Sequence, residues 1–282
     1  MRTLVLGAKG QLGRDLMEVF GKKGEIWGAD LPEVDIADGV ALAALADRLG
    51  PDLIINAAAY TDVDGAEENV ETAFRVNETG ARNAADVAAY HDIHVVYYST
   101  DYVFDGAKGL PYVPSDPMAP INMYGRSKAA GEAATRKSAL KCFIIRTAWL
   151  YGPGGSNFVE KILRAAETKP ELRVVEDEIG SPTHTLDLAE ATLALVQTQS
   201  YGLYHAVNEG SCSRYEQARA IIEYTGLKNT VVPCSLNEFP TKAQRPVYSV
   251  LDSSAVAEAS GYVLRGWREA LQNYIQRRAE AL

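Results

Sequence analysis

The chain has 282 residues, 47% hydrophobic, 23% charged and 9% aromatic, a composition that excludes a disordered chain, a collagen or a coiled coil and allows a sizeable core. Thirty-seven acidic against 28 basic residues leave a net charge of −9, which repels a polyanion such as a nucleic acid but not a small phosphorylated ligand. Cys142, Cys212 and Cys234 are too widely spaced for a disulfide framework or a paired-cysteine metal site, and a reducing compartment suits them. No apolar run reaches ~18 residues, and a strand at the start leaves no room for a signal peptide, so no membrane and a cytoplasmic location are expected.

Short apolar runs at Thr3–Leu6, Glu25–Ala29, Leu53–Asn56, Val95–Ser99 and Cys142–Thr147 alternate with amphipathic segments. That rhythm predicts βαβ units and a Rossmann-like, doubly wound parallel sheet with helices on both faces. Asp38 stands before the apolar positions Leu42, Leu45 and Leu49, and Gly50-Pro51 follows them, the start and stop signals of a helix. Residues 71–90 read as one longer helix whose Ala73, Ala81, Ala84, Ala85 and Ala88 suit close packing on a sheet. Tyr151-Gly152-Pro153-Gly154-Gly155 then breaks the rhythm. Residues 1–151 are therefore expected to form a dinucleotide-binding domain. Residues 152–282 are expected to form a smaller α/β substrate region, with room for segments that return to the first. Within that region 172–175, 202–206 and 231–233 read as strands, and 186–197, 214–224 and 267–279 as helices covering it.

Gly7-Ala8-Lys9-Gly10-Gln11-Leu12-Gly13 lies between a strand and a helix. Glycines there let the backbone approach a pyrophosphate, and the free N–H groups of the helix start stabilise its charge. Asp30, at the end of the second strand and 20 residues past Gly10, can accept the ribose hydroxyls of NAD. It favours NADH over NADPH, but Lys9, Arg14, Lys22 and Lys23 offer charges for a 2′-phosphate, so either cofactor is admitted. In Tyr124-Gly125-Arg126-Ser127-Lys128 the spacing sets a phenol and an ammonium on one helix face. Ser99-Thr100-Asp101 ends the fourth strand, at the ligand crevice of such a sheet. Beside a lysine cation and an oxidised nicotinamide the phenol is expected to fall below its ordinary value near ~10. Thr100 can hydrogen-bond the substrate oxygen, and Lys128 the nicotinamide ribose.

Together these residues resemble the extended short-chain dehydrogenase/reductase family. Residues 56–64 (NAAAYTDVD), 98–104 (YSTDYVF), 146–151 (RTAWLY), 202–205 (GLYH) and 245–252 (RPVYSVLD) are similar to its dTDP-4-dehydrorhamnose reductases over nearly the whole chain. The resemblance implies NADH- or NADPH-dependent reduction of the C4 keto group of dTDP-4-dehydro-6-deoxy-L-mannose to dTDP-L-rhamnose. It makes Tyr124 the proton donor and leaves Thr100 and Lys128 to stabilise charge. By the same resemblance Asp35 and Ile36 border the adenine, and Ala58, Ala59, Tyr60 and Ser99 join the cofactor crevice. Thr100, Asp101, Tyr102 and Trp149 then face the sugar. Related 4,6-dehydratases carry a glutamate where this chain has Tyr102, so elimination lacks its base. A 4-epimerase, or a non-catalytic subunit like the regulatory one of methionine adenosyltransferase, remains an alternative on this fold.

Arg245, before Pro246 in the C-terminal region, is the candidate for bidentate pairing with the substrate pyrophosphate, or else a surface ion pair. His91, His94, His184 and His205 show no ligand spacing, and no metal is expected. Glu176-Asp177-Glu178 reads as a solvated loop and Cys142 as a small buried hydrophobe. The partner expected is a nucleotide sugar, and a homodimer is admitted.

Overall fold

Every residue of the first four-residue run, Thr3–Leu6, is buried, as a strand covered on both faces demands. It is β1 of a computed structural model that describes residues 1–280. The chain continues through α1 (Gln11–Gly21), β2 (Ile26–Ala29), α2 (Gly39–Leu49), β3 (Leu53–Asn56), α3 (Gly65–Glu68), α4 (Val70–Phe74), α5 (Gly80–Tyr90), β4 (His94–Thr100), α6 (Met123–Ser138) and β5 (Cys142–Thr147). There follow β6 (Leu150–Tyr151), α7 (Phe158–Ala166), β7 (Glu171–Val175), β8 (Ile179–Gly180), β9 (Thr183–His184), α8 (Thr185–Thr198) and β10 (Gly202–His205). The last elements are β11 (Cys212–Ser213), α9 (Arg214–Thr225), β12 (Thr230–Cys234), α10 (Ser254–Ser260) and α11 (Trp267–Glu280).

Six strands form one parallel sheet in the order β10-β5-β4-β3-β1-β2. The chain leaves β1 for β2 on one side and returns to β3 on the other, so the strand order reverses between β1 and β3. That reversal opens a crevice at the carboxyl ends of those strands. Side chains alternate across the sheet with the period of two that pleating imposes. Val5, Ile55, Val96 and Ile145 pack on Leu12 and Leu16 of α1 and on Leu188 and Leu195 of α8. Leu4, Leu6, Ile54 and Val95 pack on Leu42 and Ala46 of α2 and on Ala84, Ala85 and Ala88 of α5. Asp38 caps α2 by accepting the Val40 and Ala41 N–H groups at 3.1 and 3.0 Å, and Gly50, at φ 58°, ends it.

Three expectations change. The single helix over 71–90 is α4 and α5 joined by a π-helical turn at Arg75–Thr79, whose extra residue turns Asn77 inward. The 202–206 strand is the edge of the main sheet, paired with β5. The 186–197 helix packs on α1 rather than over the C-terminal region, because its apolar residues share a cluster with Leu12 and Leu16. The C-terminal region keeps its own core, in which Leu172 and Val174 of β7 pack with Ile162 of α7, Ile221 of α9 and Leu271 of α11. Its β7 pairs in parallel with β12. Among the described residues no helix is long and apolar enough to cross a membrane.

Candidate active site

The glycine loop sits at the β1 end of the crevice. Gly7 has φ 77°, and a Cβ there would lie 2.6 Å from the Ala58 nitrogen, so the loop after β3 closes directly over it. A Cβ on Gly13 would overlap the Gly7 carbonyl oxygen. Gly10 opens α1 without a side-chain cap, leaving the N–H groups of Gln11, Leu12 and Gly13 free for an anion. The Gln11 side chain accepts the Asn157 amide at 2.9 Å.

Asp30 lies half-buried at the end of β2, accepting the Lys9 N–H at 3.1 Å and the Leu31 N–H at 2.9 Å. The Lys9 ammonium pairs with Glu33 at 3.0 Å. Arg14 donates to the Lys9 carbonyl at 3.1 Å. Lys22 pairs with Glu18 at 2.9 Å and Lys23 follows α1, so neither stands at the loop. The Asp35 carboxylate accepts from Arg75 at 2.6 Å and from the Ala37 N–H at 2.9 Å, and the arginine holds it below the usual carboxylate range. Ile36 is buried, its carbonyl accepting the Asn83 amide at 2.9 Å.

Asn77 joins the two sides of the crevice. Its amide accepts the Tyr60 N–H at 2.9 Å, donates to the Tyr60 carbonyl at 3.0 Å and donates to Ser127 Oγ at 2.9 Å. Ser127 in turn donates to the Tyr124 carbonyl at 2.8 Å. The loop carrying Ala58, Ala59 and Tyr60 is thus pinned to α6. The sequence reading passed over Asn77. The signal was a polar side chain on the face of Ala73, Ala81 and Ala84, which a helix burying that face would exclude.

Asn122 caps α6 by accepting the Gly125 N–H at 2.8 Å, which sets Tyr124 and Lys128 on the face toward β4. Thr100, the last residue of β4, donates to Asp101 Oδ1 at 2.9 Å and accepts the Tyr102 N–H at 3.2 Å. The Thr100 hydroxyl favours the charged form of the Tyr124 phenol and offsets part of the effect of burial. Tyr102 meets Tyr124 edge to face at 5.6 Å. Lys128 is 3% exposed. Its Nζ stands 4.2 Å over the Tyr97 ring and makes no hydrogen bond among the described residues. One turn on, Glu132 holds Arg146 of β5 through two bonds of 2.8 Å, both side chains buried. Ser99 Oγ is buried without a partner.

Electrostatics here follow burial. It pushes the Lys128 amine down to about 7, with the Glu132 charge opposing. It raises Asp101 to about 6, against hydroxyl contacts and the Arg214 charge, and Tyr102 to about 12. The Tyr124 phenol also rises above its ordinary value. In the protein by itself desolvation of the phenolate sets this direction, whereas the expected fall belongs to the complex with an oxidised nicotinamide.

On the substrate side, Trp149 is 9% exposed at φ 48°. The Arg214 guanidinium lies 3.3 Å over its ring. Arg245 donates to Asp64 at 2.8 Å and approaches the Tyr102 hydroxyl at 3.4 Å, a half-buried pair facing the crevice rather than a surface one. The acidic run divides. Glu178 is buried and accepts from Arg214 Nε at 3.2 Å, correcting the solvated-loop expectation, because the β8 strand that follows it turns inward to pair with β11. Among the described residues no group of histidines, cysteines and carboxylates has an arrangement for a metal ion.

The RmlD substrate binding domain matches residues 1–280. The spore coat polysaccharide biosynthesis protein SpsK of Bacillus subtilis is 43% identical over 281 residues, 99% of each chain. The dTDP-4-dehydrorhamnose reductase of Mycobacterium tuberculosis is 42% identical, over 96% of this chain and 91% of that one. The crystal structure of dTDP-4-dehydrorhamnose reductase from Bacillus anthracis in complex with NADP is 38% identical and superposes with a TM-score of 0.95, over 98% of this chain and 99% of that one.

Proposed function

The chain belongs to the RmlD substrate binding domain family, and from that membership we propose a dTDP-4-dehydrorhamnose reductase in which Tyr124 is the proton donor. It is an NADH- or NADPH-dependent oxidoreductase that converts the C4 keto group of dTDP-4-dehydro-6-deoxy-L-mannose to the alcohol of dTDP-L-rhamnose. The observation that carries the proton-donor reading is the placement of Tyr124 one helical turn before the buried Lys128 on α6, its ring edge to face with Tyr102, which follows Thr100 by two residues at the end of β4.

The chain's own groups fit a dinucleotide. Gly7 and Gly13 let the loop pack on Ala58 and on its own backbone, where a Cβ would collide, the uncapped start of α1 offers three N–H groups, and Lys128 holds an amine ready for ribose hydroxyls. Asp30 and the Asp35–Ile36 segment take the adenosine end, and Ala58, Ala59, Tyr60 and Ser99 the crevice wall. A bound dihydronicotinamide supplies the hydride that adds to C4. With a pKa at or above the ordinary phenol value, Tyr124 is protonated through neutral pH, the state a donor requires. Thr100, at the end of β4, hydrogen-bonds the C4 oxygen. Lys128, buried beside it, stabilises the negative charge that develops there, in a crevice where water competes little.

NADPH oxidation with the dTDP-linked keto sugar tests this. Wild type is expected to consume one NADPH per sugar reduced, and Tyr124→Phe to lose about 10²- to 10⁴-fold in turnover while still binding NADPH. Undiminished turnover in the variant removes Tyr124 as donor. Isomerised sugar without net NADPH consumption makes the protein an epimerase.

A further inference from the structure

Arg214 belongs to none of the motifs above, yet it stands at the sugar end of the crevice. A Cβ on Gly180 would overlap Trp149, coming closer to Cε2 than to Nε1 or Cζ2; Cε2 is a ring-fusion atom that only a neighbour on the ring face reaches first, so Gly180 faces the ring. The Arg214 guanidinium covers the ring at 3.3 Å from its centre. The two groups would overlap on one face, so they occupy opposite faces and leave Trp149 only its edge. Arg214 Nε is taken by Glu178, whose side chain is 8% exposed, and the Arg214 N–H donates to the Glu178 carbonyl at 3.3 Å. Its two terminal nitrogens make no hydrogen bond among the described residues, and its side chain is 17% exposed. The positive charge acts on Asp101, which is 2% exposed and bonded to Thr100 through Oδ1. Asp101 Oδ2 is buried, and the Ser249 hydroxyl favours the charged form of this carboxylate.

We propose that Arg214 binds the hexose of the sugar nucleotide, its terminal nitrogens donating to ring hydroxyls, with Glu178 and Trp149 as positioning residues. The inference rests on the reductase reading above. Two arguments select the sugar over the diphosphate. Arg214 stacks on Trp149, the residue expected to face the sugar, and its charge reaches Asp101 beside Thr100. Its charge is matched by a buried carboxylate, which leaves directional donors with little net charge for a diphosphate. A guanidinium stacked on an indole and tethered at Nε is also already immobilised, so little rotamer freedom is lost on binding.

The test is calorimetric titration of the NADPH-loaded protein with dTDP and with dTDP-L-rhamnose, on wild type, Arg214→Met, Arg214→Lys and Glu178→Gln. Arg214→Met is expected to weaken dTDP-L-rhamnose roughly ten- to a hundredfold and to leave dTDP unchanged. Arg214→Lys, which keeps the stem over Trp149 and the charge, loses less, and Glu178→Gln shifts the same ligand by a smaller factor. Equal weakening of dTDP assigns Arg214 to the diphosphate and overturns the proposal, as does an unchanged affinity for both ligands. If Arg214→Met does not fold, an Arg214→Lys affinity for dTDP-L-rhamnose equal to wild type overturns it. Wild type that fails to bind dTDP-L-rhamnose overturns the reductase reading together with this one. Wild type that binds it and turns over the keto sugar confines any failure to Arg214.

Discussion

Lys128→Met should make the cofactor-free protein more stable while abolishing turnover. Lys128 as a residue is 3% exposed, and burial lowers its amine from 10.5 to about 7. At 1.36 kcal/mol per pH unit, that displacement disfavours the charged form by about 5 kcal/mol. The folded state binds its proton less tightly than the unfolded state does. The penalty is therefore complete below pH 7, shrinks as pH rises from 7 to 10.5, and is gone above 10.5. Methionine fills the same space over Tyr97 without a charge. Recovering even half of the penalty raises the melting temperature by roughly 5 °C or more for a chain of this size. Thermal melts of both proteins without cofactor at pH 6.5, 8 and 9.5 read the effect directly. The variant is expected to melt higher at pH 6.5, with the gap narrowing steadily toward pH 9.5, and to show no NADPH oxidation at any pH. A variant that melts lower at pH 6.5, or a gap that ignores pH, refutes the argument that burial of a charged amine governs this position.

Glu132→Gln removes one half of a buried ion pair with Arg146 and should destabilise the protein by about 3–5 kcal/mol in urea unfolding. A loss below 1 kcal/mol would mean that Arg146 finds another partner. Arg245→Ala leaves Asp64 unpaired and takes a cation from beside Tyr102. It is expected to raise the Michaelis constant of the sugar nucleotide several-fold more than that of NADPH, and an equal or reversed effect in steady-state kinetics counts against a substrate role.

What the sequence by itself determined lies within reach of one element. Strands of four to seven apolar residues, the Asp38 cap, the Gly7–Gly13 loop and the four-residue step from Tyr124 to Lys128 follow from chain periodicity and local sterics. The structure places them where those patterns put them. Tertiary structure alone decided the rest, because the deciding partners are far apart in the chain. Gly202–His205 gives no local sign of belonging to the main sheet; it does so by pairing with Phe143–Arg146. Asn77 reads as one more helical residue until a π-helical turn aims it at Tyr60 and Ser127. Glu178 reads as solvated until Arg214 buries it, and that same arginine occupies a face of Trp149 that a motif leaves open for the sugar. In the cofactor-free protein the Tyr124 phenol is raised by burial for the same reason. Spacing counts which charges are near, whereas the cost of an ion is set by how much water its site retains, and only the packed structure fixes that.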